Sequence, residues 1–309
     1  MSDQPNDHSS TPASRRQAKV WIDGEIVDAD QARVPVTDHG LLYGDGIFEG
    51  IRVFAGRVFR LDDHLARFAA GARSIGLTLP GGLARVREIV LETVRAYGEA
   101  EAYIRLIATR GEGALGVDPT TCPEPRLICL VGQVAIYPQE KLRCGIDLVT
   151  VSLRRPPPDV LDPRVKSLNY LNNVLAKLEA RQRGADEALL LNLAGMVAET
   201  SVANVFVFRG GELATPPGSD GALEGITRAT LLELAGTLGI PAREKTLGRF
   251  DLFASAEVFL TGSGAGIVPV RSLDGREIGE GRPGSVYAKL RAAFADAAPS
   301  LGTPAVETA

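Results

Sequence analysis

Lys166 is the first residue whose setting points to chemistry. It stands just before a stretch of helical periodicity that predicts an amphipathic helix over residues 170–183, with Asn169 and Tyr170 at its start. A lysine amine is a nucleophile toward aldehydes. The plainer alternative is a surface lysine followed by a helix whose apolar side packs inward. The apolar residues of that side are Leu171, Val174, Leu175 and Leu178.

Two further features favour the chemical interpretation. Glu199 precedes residues 204–208, an apolar run typical of a strand. Gly225 leads into a helix predicted to begin near Thr227. Each has an ordinary explanation, as a solvated carboxylate and a helix cap. Together with Lys166 they supply an amine for an imine, a counter-ion for a ring nitrogen and free amide donors for a phosphate. That combination favours pyridoxal phosphate as cofactor.

Residues 111–116 match the glycine pattern of a dinucleotide-binding site in form only. The pattern follows a predicted strand, but Pro119 and Pro123 interrupt the residues after it. Because proline breaks a helix, the helix that would bind a pyrophosphate at its N-terminus cannot continue there. We therefore expect a glycine-rich loop.

Histidine and cysteine chemistry is not supported by the spacing of these residues. The histidines are His8, His39 and His64, and the cysteines are Cys122, Cys129 and Cys144. None has the spacing of a metal site or of a histidine-based hydrolase. We predict no metal, free or buried thiols, and an ordinary helix position for His64.

Composition excludes several classes of partner. The formal net charge of −4 gives no basic surplus of the kind that binds a phosphate backbone. No apolar run approaches the roughly 20 residues that span a bilayer, and the opening residues lack the apolar centre of a signal peptide. We therefore expect no nucleic acid, no membrane and a cytoplasmic location.

The 309 residues are enough for two domains, each with its own core. Short strands around residues 51–59, a helix that Asp62 or Asp63 could cap, and a second helix after Gly82 indicate an α+β unit. The second half mixes strands and helices without a regular βαβ series, so a doubly wound fold is not expected. The predicted division is a tail at 1–17, an N-terminal domain at 18–133, a linker at 134–141 and a C-terminal domain at 142–309.

At these residues the sequence resembles the fold-type IV pyridoxal-phosphate enzymes, which include branched-chain aminotransferases, D-amino acid aminotransferases and aminodeoxychorismate lyases. The match runs from about Val20 to Phe294. It is carried by residues 38–52, the Lys166 segment, Glu199, residues 225–228 and residues 261–264. The resemblance implies an α+β fold with a small N-terminal domain and a larger barrel-like C-terminal domain. It also implies at least a homodimer, in which a second subunit closes the active site.

The resemblance assigns cofactor roles to individual residues. Lys166 would bind pyridoxal 5'-phosphate as a Schiff base and later move the proton between the α-carbon of the substrate and the cofactor. Glu199 would pair with the ring nitrogen, and Tyr170 would bond to the phenolic oxygen. The expected phosphate ligands are Arg67, the backbone amides of Ile226 and Thr227, and the Ser263 hydroxyl.

The substrate side resembles branched-chain aminotransferases most. Residues 48–52 and 103–105 have the form found in those enzymes. By resemblance, Arg105 would meet the side-chain carboxylate of glutamate. Tyr43, Phe48 and Tyr103 would shape the apolar pocket, and the backbone around Ser263 and Gly264 would meet the substrate carboxylate.

We therefore expect transfer of an amino group from L-leucine, L-isoleucine or L-valine to 2-oxoglutarate, in two half-reactions. One departure keeps alternatives open. Residues 263–266 read Ser-Gly-Ala-Gly where branched-chain enzymes commonly have Thr-Ala-Ala-Glu, and the added glycine would loosen this loop. A D-amino acid aminotransferase or a lyase of the same fold is the first alternative. A non-catalytic binding module is the second.

Overall fold

A computed structural model describes residues 18–134 and 137–306. The predicted tail, residues 1–17, lies outside the described residues, and so do residues 135–136 of the predicted linker and 307–309 at the end of the chain. The bounds of the domains therefore stay a prediction.

The described residues form strands and helices in the following order. The strands are β1 (Lys19–Ile22), β2 (Glu25–Asp28), β3 (Gly46–Phe54), β4 (Arg57–Phe59), β5 (Ala102–Thr109), β6 (Arg126–Gly132), β7 (Ile146–Arg154), β8 (Glu187–Leu191), β9 (Val197–Thr200), β10 (Asn204–Arg209), β11 (Glu212–Thr215), β12 (Ala242–Glu244), β13 (Glu257–Gly262), β14 (Gly266–Leu273), β15 (Arg276–Glu277) and β16 (Gly302–Pro304). The helices are α1 (His39–Tyr43), α2 (Leu61–Ser74), α3 (Gly82–Tyr97), α4 (Gln139–Cys144), α5 (Pro158–Leu161), α6 (Leu171–Gln182), α7 (Ile226–Thr237), α8 (Arg249–Phe253) and α9 (Ser285–Ala297).

The first sheet has the strand order β16-β4-β3-β5-β6-β1-β2 and is antiparallel throughout. Helices α2 and α3 pack on one of its faces, where Phe68 and Val90 join a core with Ile51 and Ile104 of the sheet. The strand β16 comes from the far end of the chain and adds to the edge at β4. This sheet therefore combines the first half of the chain with its last described residues.

The predicted cap of α2 was wrong in position. The residue before the helix is Arg60, in a left-handed conformation with φ of 42°, and Asp62 and Asp63 both lie inside the first turn. Neither side chain caps the helix, because the tight connection from β4 already starts the helix at Leu61. Negative charges in a first turn still interact favourably with the helix dipole.

The second sheet is mixed, with the order β12-β11-β10-β13-β14-β7-β8-β9 and β15 added to β14. The pairs β7–β8, β7–β14 and β11–β12 are parallel, while its other pairs are antiparallel. Helices α7 and α9 cover one side, where Leu231 and Leu290 pack with Phe206 and Phe259. The expected α+β fold, without a doubly wound sheet, is confirmed.

Helix α6 packs against this sheet through a side that contains two alanines. Its buried residues are Asn173, Ala176 and Ala180, and the two alanines share a core with Val149 and Leu190 of the sheet. Small alanines let the helix approach the strands closely. The apolar residues that would face inward in the plainer alternative are exposed instead; they are Leu171, Val174, Leu175 and Leu178.

Backbone hydrogen bonds join the segment before α6 to the first sheet. Phe48 N donates to the Lys166 carbonyl and Leu168 N donates to the Gly46 carbonyl, each at 2.9 Å. An isolated bridge also pairs Ile47 with Ser167. Lys166 is therefore fixed against β3, at the junction of the two sheets.

Among the helices of residues 18–134 and 137–306, none combines the length and the apolar composition of a membrane-spanning segment.

Candidate active site

A cavity of about 180 Å³ lies at the junction of the two sheets, next to Lys166. Nearly all the predicted site residues line it. Those residues are Phe48, Arg67, Tyr103, Arg105, Lys166, Tyr170, Glu199, Ile226, Thr227, Ser263 and Gly264. They come from both sheets and from α2 and α7, so only the folded chain brings them together.

Lys166 projects into the cavity between two aromatic rings. Its Nζ donates to the Tyr170 hydroxyl at 3.0 Å and lies 4.6 Å from the centre of the Phe48 ring. Phe48 and Tyr170 meet edge to face at 4.8 Å. Because Lys166 is held by the backbone on one side and by Tyr170 on the other, its amine has a defined place in the cavity.

Glu199 is a buried carboxylate with partners on both oxygens. Its Oε1 pairs with Arg155 Nη2 at 2.6 Å, and its Oε2 accepts from Asn204 Nδ2 and Leu223 N at 3.1 Å each. Arg155 is itself buried and also donates to Asn173 and to the Gly221 carbonyl. Sequence reasoning did not identify Arg155, and no spacing in the chain points to it.

Arg67 reaches the cavity from α2. Its Nη1 donates to the Glu224 carbonyl at 2.7 Å, and a completely buried Glu49 holds the rest of its guanidinium. Burial tends to raise the pKa of Glu49, but the charge of Arg67 and the hydrogen bonds from Arg67 and His64 outweigh burial and lower that pKa to about 2. Glu49 therefore remains a carboxylate at any ordinary pH.

The N-terminus of α7 opens on the same cavity. Gly225 precedes the helix, and a Cβ at this position would collide with Asn204 Oδ1, which explains the glycine. The amides of the first helical turn have no partner within the helix. Among the described residues, the buried hydroxyls of Thr227 and Thr261 also lack any hydrogen-bond partner. Thr261, which belongs to the motif at residues 261–264 but was given no role from the sequence, lines the cavity too.

One wall of the cavity is apolar with a cation at its edge. The Arg105 guanidinium lies 4.5 Å from the centre of the Phe48 ring, and its Nη2 is 3.5 Å from the Tyr103 hydroxyl. Gly50 pairs with Arg105 across β3 and β5. A side chain at Gly50 would collide with the Tyr103 hydroxyl, so glycine is required for this arrangement.

Tyr43 is the predicted site residue that does not line the cavity of its own chain. It lies at the end of α1, where its hydroxyl accepts from Gly116 N at 2.8 Å and its ring meets His39 edge to face. The residues at 111–116 form a loop, as predicted, and His39 Nε2 lies 2.9 Å from the Ala114 carbonyl oxygen. Through Tyr43 and His39, helix α1 is therefore hydrogen-bonded to this loop.

Comparison with known proteins identifies the family of this chain. Residues 46–273 match the family model for class IV amino-transferases. The chain belongs to the class IV aminotransferase family. A putative branched-chain-amino-acid aminotransferase of Methanocaldococcus jannaschii is 45% identical to this class IV chain over 278 residues, covering 90% of it and 96% of the relative. The branched-chain-amino-acid aminotransferase of Escherichia coli strain K12 is 35% identical, covering 89% and 91%.

Solved structures of branched-chain amino acid aminotransferases are also similar to this chain. The T.th. branched-chain amino acid aminotransferase, solved with pyridoxamine 5'-phosphate, superimposes with a TM-score of 0.87 at 35% identity, covering 92% of this chain and 94% of the other. The Escherichia coli branched-chain enzyme also gives 0.87, at 34% identity, covering 94% and 96%. The predicted fold-type IV architecture is confirmed.

Proposed function

We propose that this class IV aminotransferase transfers the amino group of L-leucine, L-isoleucine or L-valine to 2-oxoglutarate, with pyridoxal 5'-phosphate as cofactor. The observation that carries the proposal is that an amine, a buried carboxylate and an unpaired helix N-terminus line one cavity. Branched-chain relatives that match over nine-tenths of the chain support the choice of substrate.

The cavity fits the cofactor because it contains unpaired hydrogen-bond donors. The buried hydroxyls of Thr227 and Thr261, left without partners by the described residues, would otherwise cost free energy. A phosphate group accepts several hydrogen bonds and would satisfy them together with the amides of Ile226 and Thr227. Ser263 and Arg67 supply the remaining donors. Neutral apolar ligands would leave all of them unpaired.

Lys166 would hold the cofactor and move the proton. When bound, the cofactor supplies an aldehyde that binds amines covalently and a ring that accepts electrons. The Lys166 Nζ would first hold that aldehyde and, once the substrate amine replaces it, take the proton from the substrate α-carbon. Its contact with the Tyr170 hydroxyl keeps the amine near the reacting atoms.

Glu199 would face the ring nitrogen and stabilise its protonated form. Arg155, Asn204 and Leu223 hold the carboxylate in one orientation and keep it from rotating away. Arg155 offsets part of the charge of this carboxylate, but a fixed carboxylate oxygen in a buried site still stabilises a nearby N–H⁺ group, because little water screens the interaction. The protonated ring nitrogen is what gives the ring its capacity for electrons.

Substrate selection would depend on the wall formed by Phe48, Tyr103 and Arg105. The aromatic rings contact an aliphatic side chain in one half-reaction. In the other, Arg105 binds the side-chain carboxylate of glutamate. Its long side chain stacks on Phe48, so the cation can lie beside the wall when an apolar substrate is bound. Tyr43 and Gly264 are proposed to complete the pocket.

We further propose that two copies of the chain associate. The exposed side of α6 carries four apolar residues, and Leu171 and Val174 expose 68% and 58% of their surface. A row of this kind at the start of the helix that follows Lys166 is better explained by a second copy than by solvent. Because Tyr43 does not line the cavity of its own chain, we propose that it contributes to the cavity of the second copy. The cytoplasmic location stays a prediction.

An absorption spectrum of the purified protein tests the proposal directly. We expect a visible band from the covalently held cofactor, which L-leucine without any keto acid converts to the pyridoxamine form. A band that responds only to D-alanine would retain the fold and Lys166 but overturn the substrate. The absence of a band after reconstitution with pyridoxal 5'-phosphate would overturn the function itself.

A further inference from the structure

A buried carboxylate holds the Arg67 guanidinium from the side away from the cavity. Arg67 Nε and Nη2 donate to the two oxygens of Glu49 at 2.8 and 2.7 Å, and Nη1 donates to the Glu224 carbonyl at 2.7 Å. An arginine has five N–H groups, so two remain for a ligand. The bonds to Glu49 therefore decide which edge of the guanidinium a ligand meets.

Glu49 has a second partner on the same helix. His64 Nδ1 lies 2.8 Å from Glu49 Oε2, and both side chains are completely buried. An ionised carboxylate only accepts hydrogen bonds, so Nδ1 carries the proton and donates. His64 and Arg67 are three residues apart and share one side of α2, so a single carboxylate of β3 can bind both.

The three side chains together carry no net charge. Burial lowers the pKa of His64; the neighbouring Glu49 opposes this, and Arg67 and Lys166 lower the pKa further. His64 is therefore neutral at neutral pH, and the charges of Glu49 and Arg67 cancel. A carboxylate next to a phosphate site repels the phosphate. If Glu49 contributes to phosphate binding, it must do so by orienting Arg67.

We propose that Glu49 and His64 are positioning residues of the phosphate site, which hold Arg67 with its two free N–H groups toward the cavity. This inference rests on the phosphate role proposed for Arg67. The alternation of β3 supports it, because Phe48 and Gly50 line the cavity while Glu49 points to the opposite face and meets α2. Strand β3 would thus contact the substrate through one face and orient the phosphate-binding Arg67 through the other.

The Glu49→Gln variant separates orientation from charge, because the two effects have opposite signs. Removing a negative charge alone would tighten phosphate binding. Loss of orientation weakens it, and we expect about tenfold or more, since a hydrogen bond to a charged group contributes this much. The dissociation constants of inorganic phosphate and of pyridoxal 5'-phosphate are measured by calorimetry on the full chain freed of cofactor, with ³¹P NMR of the bound phosphate.

Glu233→Gln is the matched control. Glu233 pairs with Arg60, just before the same helix, at 2.7 Å, but lies on the surface away from the cavity. We expect both dissociation constants to stay within about twofold of the unaltered chain, since surface ion pairs contribute little. An equal loss in the two variants would overturn the inference, because a general effect of charge or of helix stability would explain it.

Two substitutions at His64 give a test that does not depend on Glu49. Asparagine keeps an N–H donor close to the position of Nδ1, whereas leucine has similar bulk and no donor. We expect His64→Leu to weaken phosphate binding several-fold and His64→Asn to restore most of it. Thermal unfolding confirms that both variants fold, and this pair decides the matter if Glu49→Gln does not fold.

The outcomes distinguish this inference from the proposed function. If the unaltered chain binds neither phosphate nor pyridoxal 5'-phosphate, both are overturned. If it binds both ligands but Glu49→Gln binds them equally or more tightly, or the two His64 variants behave alike, only the positioning role is overturned. Weaker binding in Glu49→Gln and His64→Leu, with recovery in His64→Asn, supports it.

Discussion

Replacing Thr261 with valine should stabilise the cofactor-free chain and at the same time weaken cofactor binding. Thr261 lies on β13 and is completely buried, and its hydroxyl has no hydrogen-bond partner in the described part of the chain. Valine has the same branched shape and suits a strand equally well. The substitution therefore removes the hydroxyl and little else.

The two expected effects follow from the state of that hydroxyl. An unsatisfied buried hydroxyl costs about 1–3 kcal/mol, so its removal should raise the free energy of unfolding of the cofactor-free chain by a similar amount. In the bound state the hydroxyl would donate to the phosphate, and a hydrogen bond to a charged group contributes about 1.5–3 kcal/mol. The dissociation constant of pyridoxal 5'-phosphate should then rise by about tenfold to 100-fold.

Urea unfolding of the cofactor-free chain and a cofactor titration measure the two effects. Thr215→Val is the matched control, since Thr215 is equally buried but donates to the Val205 carbonyl at 2.7 Å. That control should lose about 1 kcal/mol of stability and keep its cofactor affinity. The reasoning is refuted if Thr261→Val loses stability as the control does, or binds the cofactor as tightly as the unaltered chain.

Other predictions address the reacting lysine, the substrate wall, the assembly and acid stability. Lys166→Ala should abolish turnover and the visible band, because no second lysine of the described residues lines the cavity; turnover that persists would contradict its role. Arg105→Ala should impair the glutamate half-reaction more than the leucine one in single-turnover kinetics, and equal losses would refute its assignment. Val174→Glu should convert dimers to monomers in sedimentation velocity, since each copy then places an uncompensated negative charge in the shared apolar surface. An unchanged mass would count against α6 as the interface. Because the pKa of Glu49 falls from 4.5 to about 2 in the folded chain, its stabilising contribution is present above pH 4.5 and is lost as the pH falls toward 2. Acid titrations should therefore show Glu49→Gln losing less stability than the unaltered chain over that range.

Much of the site could be predicted from side-chain chemistry and short-range pattern. Lys166 and Tyr170 lie beside the start of one helix, and Gly225 and Thr227 mark the start of another, so their local structure is encoded within a few residues. Glu199 could be identified because its chemistry complements theirs. For Arg155, by contrast, no local pattern distinguishes a site residue from an ordinary one. Thr261 belongs to the motif at residues 261–264, but its burial without a partner among the described residues could not be predicted from residue type.

The sequence by itself determined the class of chemistry, the family resemblance and the spacing of apolar residues that is typical of helices or strands. Each of these depends on residue type and on neighbours along the chain. The tertiary structure alone decided which distant side chains meet. It placed Glu49 behind Arg67, brought Thr261 to the cavity without a partner among the described residues, and turned the alanines of α6 inward while its leucines stayed exposed. Periodicity shows which residues share a face of an element, but only packing determines what covers that face.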